Sequence, residues 1–226
     1  MKNKLLRNGV EMPEVGFGTW KAGETDGFAV LSEAIRAGYR HIDTASAYHT
    51  EEAVGRAVAA SGVDRSEFFI TTKAWKDQLG YDRTLAAFDA SCQALGMDYL
   101  DLYLIHWPRP DAACEEWKEL YRAGRVRAIG VSNFLPHHLE NLLEVCTVPP
   151  MVDQIEFHPG YVQWETVEFC RASQILVEAW SPLGRQRLAD DPLLAELAGK
   201  YGVSQAQICL RFALDCGVVP LPKSAD

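Results

Sequence analysis

The sequence predicts an α/β fold, a (β/α)8 or TIM barrel, and three observations carry that expectation. Short apolar, β-favouring runs alternate with helix-like stretches at 14–18, 39–43, 68–73, 101–106, 127–132, 151–156, 175–180 and 217–221. Most are spaced by roughly the 30 residues of a strand-plus-crossover unit. Three consecutive runs end abruptly in an ionisable group: Asp43, Lys73 and His106. Parallel strands are buried on both faces, so charged groups at their carboxyl ends mark a site. The competing architecture, an open doubly wound sheet, usually carries Gly-x-Gly-x-x-Gly between its first strand and helix. Here Gly16-Phe17-Gly18-Thr19-Trp20 lacks the third glycine, and no helix opens on it.

Each element has a local reason. Leu5 to Met12 reads as a hairpin turning at Asn8-Gly9, placed to plug the barrel floor. Asp26 to Ala37 is apolar at Phe28, Leu31, Ala34 and Ile35 and stops at Gly38. Thr50 is expected to cap a helix through Ala60, and Asp82 to cap one reaching Leu95, with Gly96 after it. Glu115 to Ala123 is all that remains for a helix after the fourth strand. The interval before the last strand is longer and is expected to hold two helices. Pro192 suits a first turn after Asp190-Asp191, and Ser204-Gln205-Ala206-Gln207 matches a capping box. No linker or composition break divides the chain, so residues 1–226 are expected to form one domain.

Composition narrows the partners. The chain is 48% hydrophobic and 23% charged, with a formal net charge of −9. Such a balance excludes a phosphate backbone as partner, and no run approaches the ~20 apolar residues of a membrane span. The Met1-Lys2-Asn3-Lys4 start has no apolar segment behind it, so no signal peptide is expected. The six cysteines form no Cys-x-x-Cys pair and no zinc spacing, and read as reduced, mostly helix-buried thiols of a cytoplasmic protein.

The strand ends suggest a proton-transfer set. Tyr48 follows Asp43 by five residues. A phenol has an ordinary pKa near ~10, which a nearby cation lowers. Lys73 can supply that cation, and a buried lysine needs a partner such as Asp43. Tyr48 could then protonate a nascent alkoxide while His106 orients the carbonyl oxygen. Singly, each residue also fits a bland role, such as a barrel-interior salt bridge or a satisfied core histidine.

The motifs add a resemblance. The stretches are Gly38 to Ala45 with Tyr48, Thr71-Thr72-Lys73-Ala74-Trp75, and Leu104-Ile105-His106-Trp107-Pro108. They continue with Ile129-Gly130-Val131-Ser132-Asn133-Phe134, Gln154 to Pro159, Ala179-Trp180-Ser181-Pro182-Leu183-Gly184 and Pro222-Lys223-Ser224. Together they resemble the bacterial-type members of the aldo-keto reductase family. The resemblance implies reduction of an aldehyde or ketone with NADPH, NADH being the weaker alternative, and Asp43, Tyr48, Lys73 and His106 as the catalytic tetrad. It implies that Ser132, Asn133 and Gln154 bind the nicotinamide carboxamide and that Trp180 stacks on the ring. Ser181, Leu183 and Gly184 would line the pyrophosphate, with Arg185 closing that loop. Lys223 and Ser224 would grip the 2′-phosphate, and Gly18, Thr19 and Trp20 would meet the cofactor at the first strand. Trp20, Trp75 and Trp107, with His106, would wall a substrate pocket in a monomer.

Two segments depart from the family pattern. The chain stops at Asp226, where relatives continue into an eighth helix and a C-terminal loop, and 108–124 is short. A missing last helix is expected to expose the apolar face of the eighth strand. Weaker cofactor binding would favour the alternative reading, a redox-sensing barrel with little turnover. A metal-dependent barrel hydrolase would want His-x-His on the first strand, where Gly16-Phe17-Gly18 stands.

Overall fold

The structure, a computed structural model, describes residues 2–22, 26–109 and 115–223. An antiparallel hairpin of β1 (Asn3–Leu5) and β2 (Glu11–Pro13) comes first. Eight parallel strands follow: β3 (Phe17–Gly18), β4 (His41–Asp43), β5 (Phe69–Ala74), β6 (Leu100–Ile105), β7 (Val126–Ser132), β8 (Val152–Glu156), β9 (Leu176–Trp180) and β10 (Val219–Pro220). Each pairs with its neighbour in sequence order. Gly16 N donates to Pro220 O at 3.1 Å and Gly18 N to Pro222 O at 2.9 Å, which joins the first strand to the last. Glycine is required at this seam. A Cβ on Gly16 would stand 2.6 Å from Leu221 Cδ2 and 2.7 Å from His41 Nδ1.

Helices wrap the sheet: α1 (Gly27–Arg36), α2 (Glu51–Ala60), α3 (Tyr81–Leu95), α4 (Glu115–Arg122), α5 (Pro136–Val145), α6 (Trp164–Ala172), α7 (Pro192–Tyr201) and α8 (Gln205–Asp215). The capping box expected at Ser204 forms, Asp26 caps α1, and Asp191 caps the helix that Pro192 begins. Two expected caps do not form. Gly80 stands at the cap position of α3, with Asp82 inside its first turn. Thr50 precedes α2 without capping it, because its hydroxyl is bonded to Thr44 Oγ1 at 2.8 Å and Thr19 Oγ1 at 2.9 Å.

The hairpin seals the amino-terminal end of the barrel, as expected. Leu6 and Met12 are buried there, and Asn8 Nδ2 donates to Arg127 O at 2.9 Å beside the start of β7. Its turn is wider than Asn8-Gly9 alone: Leu5 pairs with Glu11, and Leu6 N donates to Val10 O at 2.9 Å. The face of β10 is not exposed, contrary to the expectation. Val218, Val219 and Leu221 are buried, with α8 packed against the strand through Cys209 and Ala213. Cys92, Cys170 and Cys209 are buried free thiols on helices, and Cys146 and Cys216 stand at helix ends; Cys114 lies outside the described residues.

Candidate active site

The carboxyl ends of the strands open on one cavity of about 800 Å³. One side is ionisable. Asp43 closes β4, and a single 3-10 turn, Ser46–Tyr48, swings Tyr48 back over the mouth. Lys73, fully buried in β5, donates to Asp43 Oδ1 at 2.7 Å, to Oδ2 at 2.8 Å and to Thr44 O at 2.8 Å. The same Nζ lies 5.0 Å from the Tyr48 ring centroid. His106, just past β6, brings Nε2 to 3.5 Å from the Tyr48 hydroxyl, and its ring meets Trp75 edge-on at 4.8 Å.

The electrostatics differ in one respect from the sequence expectation. Tyr48 has a raised pKa, because burial outweighs the nearby Lys73 and Asp43 adds to the rise. Burial opposes the charge of Lys73, but Asp43 and then Tyr48 favour it, and its pKa ends above the ordinary lysine value. His106 is pushed down to about 3 by burial, then by Lys73 and Lys76, so it is a neutral imidazole at physiological pH.

The other side is neutral and hydrogen-bonding. Ser132 ends β7 and donates its hydroxyl to Gln154 O at 2.8 Å. Asn133, in a left-handed conformation, donates Nδ2 to His106 O and to Ser132 Oγ, both at 3.0 Å. Its Oδ1 accepts from Trp180 Nε1 at 2.8 Å, which fixes the indole that closes β9. Gln154 in β8 reaches across the interior, giving Nε2 to Asp43 Oδ2 at 2.8 Å and to Glu178 Oε2 at 2.9 Å. Ser181 and Arg185 also have positive φ, so strained backbone gathers where a ligand loop would lie. Arg185 bonds Ser181 Oγ at 2.9 Å, with its guanidinium 4.7 Å from the Trp20 ring and 5.0 Å from Trp180.

Most expected site residues therefore meet in one place. Gly18, Trp20, Trp75, Trp107, Ser181, Leu183 and Lys223 line the cavity with the groups above. Two do not. Thr19 is buried with its hydroxyl on Thr50, and Gly184 packs beside Leu188 outside the cavity lining. Ser224 lies outside the described residues. Thr44 and Glu178 were missed. The first was signalled only by its place beside Asp43. The second stands two residues before Trp180, so strand period two turns both to the same face.

The donor set suits a nicotinamide dinucleotide. A flat indole, an amide oxygen and hydroxyls at three adjacent strand ends match a planar ring bearing a carboxamide, and a lysine at the last strand matches phosphate. Among the described residues no cluster of His, Cys, Asp and Glu can hold a metal.

Residues 14–226 match the family model described as "Aldo/keto reductase family". The chain is 48% identical over 223 residues to a glyoxal reductase of Bacillus subtilis, covering 97% of this chain and 81% of that protein. It matches the crystal structure of an aldo/keto reductase from Brucella melitensis at 44% identity and TM-score 0.95, covering 99% of this chain and 88% of the other. A Bombyx mori aldo-keto reductase in complex with NADP matches at 36% identity and TM-score 0.91, over 100% of this chain and 84% of its own. With this sequence match and this barrel, the chain belongs to the aldo/keto reductase family.

Proposed function

We propose that the protein reduces aldehydes and ketones to alcohols with NADPH as reductant. One observation carries the reading: a charged, proton-donating cluster and a neutral amide–indole wall face each other across the same cavity. Ser132, Asn133 and Gln154 would hold the carboxamide, and Trp180 would stack on the ring. Ser181 and Leu183, with Gly18 and Trp20, would follow the rest of the dinucleotide. Lys223 with Ser224 would take the 2′-phosphate, which favours NADPH over NADH. When bound, the cofactor supplies hydride to the carbonyl carbon.

The chain's own residues manage the proton. Tyr48, with its raised pKa, stays a phenol through neutral pH and gives its O–H to the carbonyl oxygen. Lys73 remains an ammonium and stabilises the charge left on Tyr48, while Asp43 holds that ammonium in place. Neutral His106 donates one ring N–H to the same oxygen. Trp20, Trp75 and Trp107 form the apolar walls that admit the substrate's body.

The glyoxal reductase among the relatives supports small aldehydes, 2-oxoaldehydes included, as substrates. The redox-sensing alternative has no feature in its favour. The free thiols suit the reducing cytoplasm. The test is NADPH and NADH consumption, followed by absorbance, against a panel of aldehydes and ketones. Turnover with NADPH and weaker turnover with NADH are expected. No oxidation of either with any carbonyl would overturn the reading.

A further inference from the structure

Beneath the mouth lies a second carboxylate that the proton-transfer set does not use. Glu178 is fully buried in β9, and Gln154 is its register partner in β8. A glutamine amide has two orientations of nearly equal shape, and neighbours decide between them. Here both hydrogens of Gln154 Nε2 are committed, one to Asp43 Oδ2 at 2.8 Å and one to Glu178 Oε2 at 2.9 Å. Turning the amide would set its oxygen against two carboxyl oxygens. With Asp43 alone, one hydrogen would be unclaimed and the amide free to tilt. Among the described residues nothing donates to Gln154 Oε1, and Gln154 lines the cavity.

We propose that Glu178 is a positioning residue, which holds the Gln154 amide so that Oε1 faces the cavity as a fixed acceptor for the carboxamide N–H2 of the cofactor. This rests on the nicotinamide-site reading above. The groups around Glu178 explain how the fold tolerates it. Gln154 faces it from β8, Asp43 and His41 from β4, and the Lys73 charge from β5. Burial, then the Asp43 charge, raises Glu178 to about 8, against the Gln154 bond and Lys73. The raised value disfavours a second negative charge beside Asp43, and Oε2 accepts from Gln154. Its Oε1 lies 3.3 Å from His41 Nε2, and His41 is itself held neutral, with a pKa of about 3, by burial.

The experiment is equilibrium binding, read by fluorescence, of NADPH and of its reduced 3-acetylpyridine analogue, in which a methyl replaces the amide NH2. The chains are the wild type, Glu178→Met and Glu178→Gln, with folding checked by circular dichroism. The wild type should bind the analogue about tenfold more weakly than NADPH, the worth of one oriented hydrogen bond. Glu178→Met should bind NADPH about three- to tenfold more weakly and lose most of the discrimination. Glu178→Gln, whose amide oxygen can still accept from Gln154, should rescue both. If Met overfills the site, Glu178→Val, which suits a strand, takes its place. Equal wild-type affinity for the two dinucleotides overturns the inference, as does an apolar variant with unchanged affinity and discrimination. A wild type that binds NADPH but reduces no carbonyl sinks the proposed reaction and leaves this inference standing. One that binds neither dinucleotide sinks both.

Discussion

The two halves of the barrel mouth use opposite chemistry. At the ends of β4, β5 and β6 stand Asp43, Lys73 and His106, with Tyr48 leaning over them; at β7, β8 and β9 stand Ser132, Gln154 and Trp180, with Asn133 behind. The first half concentrates charge, and its geometry is fixed by an ammonium with three acceptors. The second half presents neutral groups at its strand ends and is fixed by amides, with the Arg185 guanidinium over Trp180. Two side-chain bonds at the mouth link the halves, Gln154 to Asp43 at 2.8 Å and Asn133 to His106 O at 3.0 Å. One half is built to move a proton, the other to hold a flat ligand still, and damage to either should separate accordingly.

The largest effect is expected at Lys73. Lys73→Met leaves Asp43 buried without its cation, and breaking such a pair costs about 3–5 kcal/mol. Thermal unfolding should show a drop of about 10 °C or more, with turnover lost. An unchanged melting temperature would mean that the pair contributes no stability. On the other half the effects should be smaller and confined to binding. Trp180→Ala removes the flat face and should weaken NADPH about tenfold or more. Trp180→Phe keeps a ring but drops the bond to Asn133 and should weaken it about threefold, as read by titration.

The pH effects are subtler. His106 has a pKa of about 3, so kcat should show no histidine step between pH 5.5 and 7.5. An inflection near the ordinary histidine value would put a charged His106 in the reaction. Glu178 tests the interior. Its folded pKa of about 8 exceeds the ordinary 4.5, so the folded chain keeps a proton that the unfolded chain has released. The stability tied to that proton is fully present below pH 4.5 and is lost as pH rises toward 8. Glu178→Gln cannot ionise, so its melting temperature relative to the wild type should climb between pH 5 and pH 8. A constant difference would show that Glu178 does not hold its proton.

Much of this was legible in the sequence because parallel strands must be apolar on both faces. An ionisable residue at the end of such a run, such as Lys73 after Phe69-Ile70-Thr71-Thr72, stands out against its strand. What escaped depends on contacts across the barrel. Thr50 looked like a helix cap until Thr44 and Thr19, the latter 31 residues away in the chain, claimed its hydroxyl. The pKa of Tyr48 could not be signed from spacing, since the burial that dominates it comes from packing. Glu178 sits within an otherwise apolar run, and its meaning comes from Gln154 and Asp43, far off in the chain. The covering of β10 by α8, its neighbour in the chain, is a matter of packing that the spacing alone does not show.

The separation of the two halves is tested most directly by Tyr48→Phe, with NADPH binding and NADPH oxidation by a small aldehyde measured on the same preparation. The expected result is oxidation about 10²–10⁴-fold slower, the typical worth of a positioned acid, with the binding constant unchanged. Turnover at the wild-type rate would contradict the assignment of the proton to Tyr48. Loss of binding in step with turnover would contradict the division of the mouth into two working halves.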